Sequence, residues 1–223
     1  MTIKVMSYVS SACMKRRKLE QILQEYPEVH NELEAPSFFL KQMEQIMRML
    51  QRKLIVKSDN CKDPALHHIF MLNNRLNNRS RIEAINKFWG LETIFGDDWF
   101  QNSKTKIKQN FDSYKRCSWN KVIDFRMLDN NDNITEELLK EKIHLFNNHF
   151  EAICKAQSAW FVYENTLREE IISSVGNILL PAYGIFVGRL QDILGNQAYK
   201  YIKYGMFEIQ ELLNHLFLGN ENI

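Results

Sequence analysis

Two adjacent carboxylates, Asp97 and Asp98, are the residues of this sequence best placed to work as an acid and base pair. Such a pair needs two carboxyl groups that point toward the same reacting atom. Neighbouring side chains at the start of a helix point in different directions. An acid in the first turn instead stabilises the free backbone N–H groups and complements the helix dipole. We therefore interpret Asp97 and Asp98 as residues of a helix start.

Histidines occur as two close pairs, and histidine is a common metal ligand. His67 and His68 are adjacent, whereas His144 and His149 are five residues apart. Two histidines that bind one metal ion from a single helix are usually four residues apart, so that both lie on one face. Neither pair has this spacing. We expect solvent-facing or core-edge histidines, and the sequence predicts no metal site.

The polar loop at residues 129–133 resembles the beginning of a calcium-binding loop. Ile134 stands where that loop requires glycine, and Lys140 stands where it requires the last acidic ligand. The sequence also contains no glycine-rich phosphate loop and no nucleophile elbow of the GxSxG type. The sequence therefore predicts no catalytic residues, no cofactor and no enzymatic activity.

The cysteines are widely spaced and form no CxxC pair, which argues against a zinc site and against a dense disulfide framework. The first residues lack the long apolar core of a secretory signal peptide. Buried free thiols in a reducing compartment are the simplest interpretation. The cysteines are Cys13, Cys61, Cys117 and Cys154.

Basic and acidic residues nearly balance, with 29 Lys and Arg against 27 Asp and Glu and a formal net charge of +2. Proteins that neutralise many phosphates carry a larger basic excess, so we expect no nucleic-acid partner. Local basic clusters are attracted to anionic lipid headgroups by about 1 kcal/mol per side chain, although a solvated helix face is the alternative. The clusters are residues 15–18; Lys104, Lys106 and Lys108; Lys115 and Arg116; and Lys200 and Lys203.

Apolar residues recur at every third or fourth position along most of the chain, which is the period of a helix that buries one face. One such stripe covers residues 5–26, and Pro27 is expected to end it. Pro64 and Thr135 are typical of helix starts. No strand-like alternation is convincing. The predicted fold class is all-α, with long antiparallel helices stacked as a bundle or a short rod.

Pro181 and Gly184 interrupt the apolar run near residues 178–187. This run is much shorter than a membrane-spanning helix, so we expect any membrane contact to be peripheral. Proline is also expected to begin a helix here rather than to lie within one. The predicted C-terminal elements are helices at 167–175, 181–194 and 207–218, with a turn or short helix at 199–204.

Short strings along the chain, in a consistent order and spacing, resemble the plant exocyst seventy-kilodalton subunit family (Exo-seventy). The resemblance extends from about residue 5 to about residue 217. Each string is short, but their order and spacing together argue against chance. The strings include KDPAL at 62–66, IFMLNN at 69–74, GDDW at 96–99, YKR at 114–116, QSAW at 157–160, LPAY at 180–183, GR at 188–189 and KYIKY at 200–204.

The resemblance implies the C-terminal part of such a subunit, from a divergent or truncated member, since longer members continue before the matched region. Members of the family are rods of stacked helical bundles. They belong to the exocyst, a complex that tethers secretory vesicles to the plasma membrane. The expected domains are residues 1–160, with long antiparallel helices, and residues 161–223, a C-terminal bundle that completes the end of the rod.

The same resemblance implies that basic residues of the C-terminal bundle bind phosphatidylinositol 4,5-bisphosphate. Lys200 and Lys203 match the family's lipid-contacting lysines. Arg189 and Arg168 match other basic positions of the family, and either could instead be an interior ion-pair partner. The implied partners are other exocyst subunits, an anionic phosphoinositide membrane surface, small GTPases and pathogen effectors. The implied location is the cytoplasm, peripheral at the plasma membrane.

The chain departs from the family pattern in three places. Residues 205–208 are GMFE where the family usually has SPED, Gly184 replaces a common basic residue, and residues 163–165 replace a turn that contains proline. These departures are typical of a specialised member. They leave a second hypothesis open, a truncated protein-interaction module that serves as a plant immunity effector target or bait and does not tether vesicles.

Overall fold

The structure is a computed structural model and describes residues 2–26, 35–89, 95–123 and 134–219. Within these ranges the only β-type pairing is an isolated antiparallel bridge between Phe161 and Leu218, and the predicted all-α fold class is confirmed. The helices are α1 (Thr2–Met14), α2 (Arg16–Glu25), α3 (Ala35–Ser58), α4 (Pro64–Trp89), α5 (Asp97–Trp119), α6 (Glu136–Ser158), α7 (Asn165–Leu194) and α8 (Met206–Asn214), with a 3₁₀ turn (Gly195–Lys200) after α7.

Two helix starts form from the residues that the sequence indicated. The side chain of Asp63 accepts a hydrogen bond from the backbone N–H of Ala65 at 2.7 Å, and Pro64 occupies the first position of α4, where an N–H would have no helical partner. The hydroxyl of Thr135 accepts a hydrogen bond from the backbone N–H of Leu138 at 3.3 Å. Local capping therefore sets where α4 and α6 begin.

The first apolar stripe does not form the single helix that the sequence predicts. The helix divides at Lys15, whose backbone angles of φ −95° and ψ 10° separate α1 from α2. Residues of α1 such as Met6 and Val9 are fully buried, whereas α2 has no buried residue. The fully buried residues of this stripe therefore belong to α1, while Leu19 of α2 is partly buried against the core. Pro27, the predicted end of this helix, and the loop at 129–133 lie outside the described residues.

The helix α7 is continuous and contains Pro181, so the prediction of separate helices at 167–175 and 181–194 was wrong. A proline inside a helix removes one backbone hydrogen bond and crowds the preceding turn, at a cost of about 3 kcal/mol. Burial of an apolar stripe on both sides of Pro181 offsets that cost. The buried stripe comprises Leu167, Ile171, Val175, Leu179, Tyr183, Phe186 and Leu190.

By length and composition alone, the segment Asn165–Lys200 could cross a membrane, with a mean hydropathy of 1.6 over its most apolar stretch. It is the one such segment in the part of the chain that the structure describes. The expectation that the apolar run near residues 178–187 is much shorter than a membrane-spanning helix was wrong, because the helix continues through Pro181. Core helices pass the same test, and the apolar stripe of α7 is packed within the protein.

The chain divides into two compact units, Met1–Phe111 and Asp112–Ile223. The boundary falls within α5. The sequence suggested two domains, residues 1–160 and 161–223, and this division remains a prediction.

The first unit has a core rich in methionine and aliphatic side chains. Helices α1 and α3 both pack against α4. Outside the apolar core, the hydroxyl of Thr2 donates a hydrogen bond to Oδ1 of Asn74 at 2.6 Å, which ties the start of α1 to α4. The buried cluster includes Met6, Val9, Phe39, Met43, Met47, Leu50, Leu54, Met71, Ile82, Ile85 and Phe95.

The second unit contains a buried polar network centred on Gln157, which is 2% exposed. Tyr114 donates a hydrogen bond from its hydroxyl to Oε1 of Gln157 at 2.7 Å and accepts one from Nε1 of Trp119 at 2.9 Å. Nε2 of Gln157 donates to the hydroxyl of Ser118 at 2.8 Å. Burial raises the pKa of Tyr114, so this hydroxyl stays protonated. The network joins the end of α5 to α6.

The cysteines are free thiols. Cys13 and Cys154 are buried, as the sequence predicts, and burial raises the pKa of Cys13 to about 11 and of Cys154 to about 12. Both thiols therefore stay protonated near neutral pH. Cys61 is half-buried, and Cys117 is exposed, so the prediction was wrong for Cys117.

We expect Tyr114→Phe to lower the free energy of unfolding by about 1–3 kcal/mol, because the substitution leaves Oε1 of Gln157 and the indole N–H of Trp119 buried without this partner. Urea unfolding followed by circular dichroism measures the change. Tyr199→Phe removes a hydroxyl from a side chain that is 67% exposed and should have almost no effect. Equal stability of the two variants would show that the Tyr114 hydroxyl contributes nothing to the free energy of unfolding.

Candidate lipid-contact site

The lysine segment, residues 200–204, begins at the last residue of the 3₁₀ turn that follows α7. α7 ends where Gly195 adopts a φ of 55°, a left-handed conformation that glycine reaches without steric cost. The 3₁₀ turn then carries the chain to Lys200 and on to the start of α8. Lys200 and Lys203 are both exposed. The turn therefore places two lysines on the surface of the second unit.

Side chains of α6 and α7 hold the backbone of the lysine segment. Asn147 donates a hydrogen bond from Nδ2 to the carbonyl of Tyr201 at 3.0 Å, and Tyr183 donates from its hydroxyl to the carbonyl of Tyr204 at 2.7 Å. The ring of Tyr204 also meets Phe150 edge-on, with centroids 5.5 Å apart. Burial raises the pKa of Tyr183 to about 12, so its hydroxyl remains a donor. Both ends of the segment are thus fixed.

Lys203 is paired with an acidic residue of α6. Its Nζ lies 2.8 Å from Oε2 of Glu151 and 5.5 Å from the centroid of the Tyr204 ring. The hydrogen bond to Glu151 raises the pKa of Lys203, with a smaller contribution from Tyr204. About half of each side chain in the pair is exposed. Exposed ion pairs are weak, so an anionic ligand can compete for this ammonium group.

A third lysine lies beside the segment. Nζ of Lys140 is 5.9 Å from the centroid of the Tyr201 ring and 3.1 Å from Oε2 of Glu136. The hydrogen bond to Glu136 raises the pKa of Lys140. In the sequence, Lys140 stood out only because it occupies a position where a calcium loop needs an acid. In the structure it lies beside Tyr201 of the lysine segment.

Arg168 lies near the beginning of α7 and caps the other end of α8. Its Nε donates a hydrogen bond to the carbonyl of Leu216 at 2.8 Å, and its Nη2 donates to the carbonyl of Asn214. Asn214 is the last residue of α8, where helix carbonyls have no helical partner, and Leu216 lies two residues beyond the helix. Arg168 therefore has a structural role, and its predicted lipid contact stays a prediction.

Arg189 lies on α7, is half-buried and already interacts with another group. At 1.5 Å of rise per residue, the 21 residues between positions 168 and 189 place Arg168 about 30 Å along the helix from Arg189. The structure therefore does not bring the two arginines together, whereas Lys200 and Lys203 share one short segment. The lipid contact of Arg189 also stays a prediction.

Two of the other basic clusters, residues 15–18 and the pair Lys115 and Arg116, already contain ion pairs within one helix. Nε of Arg16 lies 2.5 Å from Glu20, four residues along the same helix. Nζ of Lys115 lies 3.3 Å from Asp112 and 3.4 Å from the hydroxyl of Ser174. Pairs three or four residues apart stabilise a helix locally. The Arg16 and Glu20 side chains are only 19% and 17% exposed, so this pair is not on a fully solvated face.

Asp97, Asp98, His67 and His68 have ordinary environments, whereas Nδ1 of His149 is buried without a hydrogen-bond partner among the described residues. Asp97 and Asp98 lie in the first turn of α5, in agreement with their interpretation as helix-start residues. The rings of His67 and His68 meet edge-on at 4.9 Å, and Nδ1 of His68 lies 3.2 Å from Oδ1 of Asn110. Across the described ranges, no three His, Cys, Asp or Glu side chains are grouped so that they could hold a metal ion.

Comparison with known families adds to this geometry. The family model for the C-terminal region of the Exo70 exocyst complex subunit matches residues 1–215. The chain belongs to this family. The resemblance that the sequence indicated is thereby confirmed.

Relatives in the Exo70 family occur in plants and in humans. The exocyst complex component EXO70B1 of Arabidopsis thaliana is 39% identical over 220 residues, which cover 96% of this chain and 34% of that protein. EXO70B2 of the same plant is 33% identical over 217 residues, with 96% and 34% covered. Human exocyst complex component 7 is 27% identical over 186 residues, with 77% and 24% covered. The chain thus spans about a third of the length of its Arabidopsis relatives.

The sequence predicted the exposed lysines but not the residues of α6 that bond to the lysine segment, Asn147 and Glu151. Asn147 and Glu151 are four residues apart on α6, so they lie on one helix face, next to a buried stripe that includes Phe146 and Phe150. That spacing indicates a polar edge beside the core. It does not indicate which distant segment the edge contacts.

We expect Arg168→Leu to lower the free energy of unfolding by about 1–3 kcal/mol, because the carbonyls of Asn214 and Leu216 lose a charged donor. Thermal or urea unfolding of the whole chain measures this loss. Arg116→Leu is the matched control, since Arg116 is exposed and bonds only to its neighbour Ser113 among the contacts described. A variant of Arg168 with unchanged stability would contradict the capping role.

Proposed function

We propose that this chain is a membrane-contacting region of an exocyst subunit that helps to tether secretory vesicles to the plasma membrane. It works as a helical scaffold rather than as an enzyme. Membership of the Exo70 family supports the exocyst assignment, since the matched relatives carry the name exocyst complex component. The partners we propose are other exocyst subunits and an anionic phosphoinositide surface at the cytoplasmic side of the plasma membrane.

The observation that carries the membrane proposal is the fixed lysine segment. Lys200 and Lys203 are exposed, while Asn147 and Tyr183 hold the backbone on which they stand. A fixed backbone lowers the conformational entropy lost on binding. Phosphate groups of a phosphoinositide accept hydrogen bonds from ammonium groups and replace the carboxylate of Glu151 at Lys203.

The tyrosines of the segment suit the boundary between lipid and water. Tyr199 is 67% exposed and directly precedes Lys200. A tyrosine has an apolar ring and a polar hydroxyl, a combination that favours the headgroup region. The segment therefore combines charge for the phosphates with an aromatic side chain for the interface.

We expect Lys200→Ala combined with Lys203→Ala to weaken binding to vesicles that contain phosphatidylinositol 4,5-bisphosphate by about thirtyfold, since basic side chains near such membranes contribute about 1 kcal/mol each. Liposome co-sedimentation at about 0.1 M salt, where screening is moderate, measures the change. The matched control is Lys53→Ala combined with Lys57→Ala, two exposed lysines of α3. Equal loss in both double variants would indicate general charge attraction and not this segment. Failure of the wild-type chain to sediment would favour the interaction-module hypothesis.

We expect Glu151→Gln to strengthen the same binding by about fivefold, because it removes a negative charge beside the membrane and releases Lys203 from its ion pair. The measurement is again co-sedimentation, over a series of salt concentrations. Glu169→Gln, at an exposed position on α7, controls for the change in net charge. Weaker binding of the Glu151 variant would mean that the pair is needed to hold Lys203 in its binding position.

A further inference from the structure

A cavity of about 440 Å³ lies within the first unit, bordered by α3, α4 and α5. Its size falls within the range of small-molecule sites. Apolar side chains from α3 and α4 form much of its buried wall, and Trp99 of α5 adds an aromatic surface. The buried apolar residues that line it are Met47, Leu54, Met71 and Phe95.

Two residues that line this cavity each have a side-chain atom that is buried without a hydrogen-bond partner among the described residues. These atoms are Nε of Arg75, a donor, and Oδ1 of Asn78, an acceptor. Asn78 is only 4% exposed. The two residues are three positions apart on α4, so their side chains lie on the same face of that helix. Because a buried unpaired polar group costs about 1–3 kcal/mol, each atom indicates a partner of complementary type.

The charges around the cavity favour an anion. Arg48 is paired with Glu44, with 3.2 Å between Nη2 and Oε2. Of the other charged residues that line the cavity, Arg75 and Lys106 are basic and Asp98 is acidic. One positive charge is therefore in excess. Burial lowers the pKa of Arg75, as expected for a cation that has lost water without gaining a carboxylate.

We propose that this cavity binds a small organic acid that carries one carboxylate and a hydroxyl or amino group. The carboxylate accepts a hydrogen bond from Nε of Arg75, and the hydroxyl or amino group donates one to Oδ1 of Asn78. The carbon skeleton lies against the apolar wall that includes Met47 and Met71. A dianion fits the charges less well, since Asp98 also lines the cavity. The proposal is independent of the lysine segment and of membrane binding.

Ligand-observed NMR on the 223-residue chain tests the proposal. The probes are hydroxylated monocarboxylic acids, from 3-hydroxybutyrate to 4-hydroxyphenylacetate, each compared with its uncharged amide. We expect saturation transfer to one or more acids and not to the matching amides. No signal from any acid would overturn the proposal, and so would equal signals from acids and amides, which would indicate apolar binding alone.

Substitution of Arg75 then locates the binding. We expect Arg75→Met to raise the dissociation constant of the best acid by about tenfold or more, the effect of losing one charge-assisted hydrogen bond. Arg52→Met, at an exposed position of α3 outside the cavity, should leave it unchanged. Unchanged affinity in the Arg75 variant would overturn the proposal.

A second substitution keeps the test valid if Arg75→Met fails to fold. Asn78→Asp preserves the side-chain shape but places a carboxylate one helical turn from Arg75, where it competes with the ligand. We expect it to weaken acid binding by about tenfold or more. Circular dichroism confirms that the variant is folded. Retained affinity in a folded Asn78→Asp chain would contradict the assignment.

Discussion

The second unit depends on one buried glutamine, Gln157. Its side chain satisfies Tyr114 and Ser118 of α5, and its backbone carbonyl accepts hydrogen bonds from the N–H groups of Trp160 and Phe217. A single residue of α6 thus joins the preceding helix, the following loop and the C-terminal segment. A fully satisfied polar network in a low-dielectric interior accepts few alternative arrangements. The position of α6 is thereby set, and with it the face that holds the lysine segment.

Continuity of α7 is the second constraint, and it links two distant features of this unit. Arg168, near one end of the helix, caps α8, while Tyr183 holds the carbonyl of Tyr204. A break at Pro181 would uncouple these contacts. The buried stripe on both sides of Pro181 keeps the helix intact, because apolar burial is worth more than one missing hydrogen bond.

Local patterns made most of the helices predictable from the sequence. The capping residues Asp63 and Thr135 act through atoms two or three residues away, so a short window contains all the information needed. Pro181 shows the limit, since its local preference favours a helix start and long-range burial overrides it. The division at Lys15 was likewise missed, because an apolar period of three or four does not reveal a single non-helical residue.

The candidate sites were less predictable because their contacts are distant in sequence. The pair of Lys203 and Glu151 spans 52 positions, and the bond from Asn147 to Tyr201 spans 54. The cavity at Arg75 is harder still, since a basic residue on a helix is usually solvated. What distinguishes Arg75 is that its Nε has no partner among the described side chains, and only coordinates show this.

The basic residues of the second unit differ in how easily they can exchange partners. Lys203 is paired with Glu151 on the surface, where an ion pair contributes little to the free energy of folding. A phosphate group could take the place of this carboxylate. Arg168 donates to carbonyls at a helix end, and moving it to a lipid would leave those groups unsatisfied. Under the membrane proposal, exchange of the partner of Lys203 would therefore cost the fold little, whereas exchange at Arg168 would weaken the end of α8. In the sequence, both positions are simply basic residues. Their hydrogen-bond partners in the structure distinguish Lys203, a candidate ligand contact, from Arg168, a structural contact.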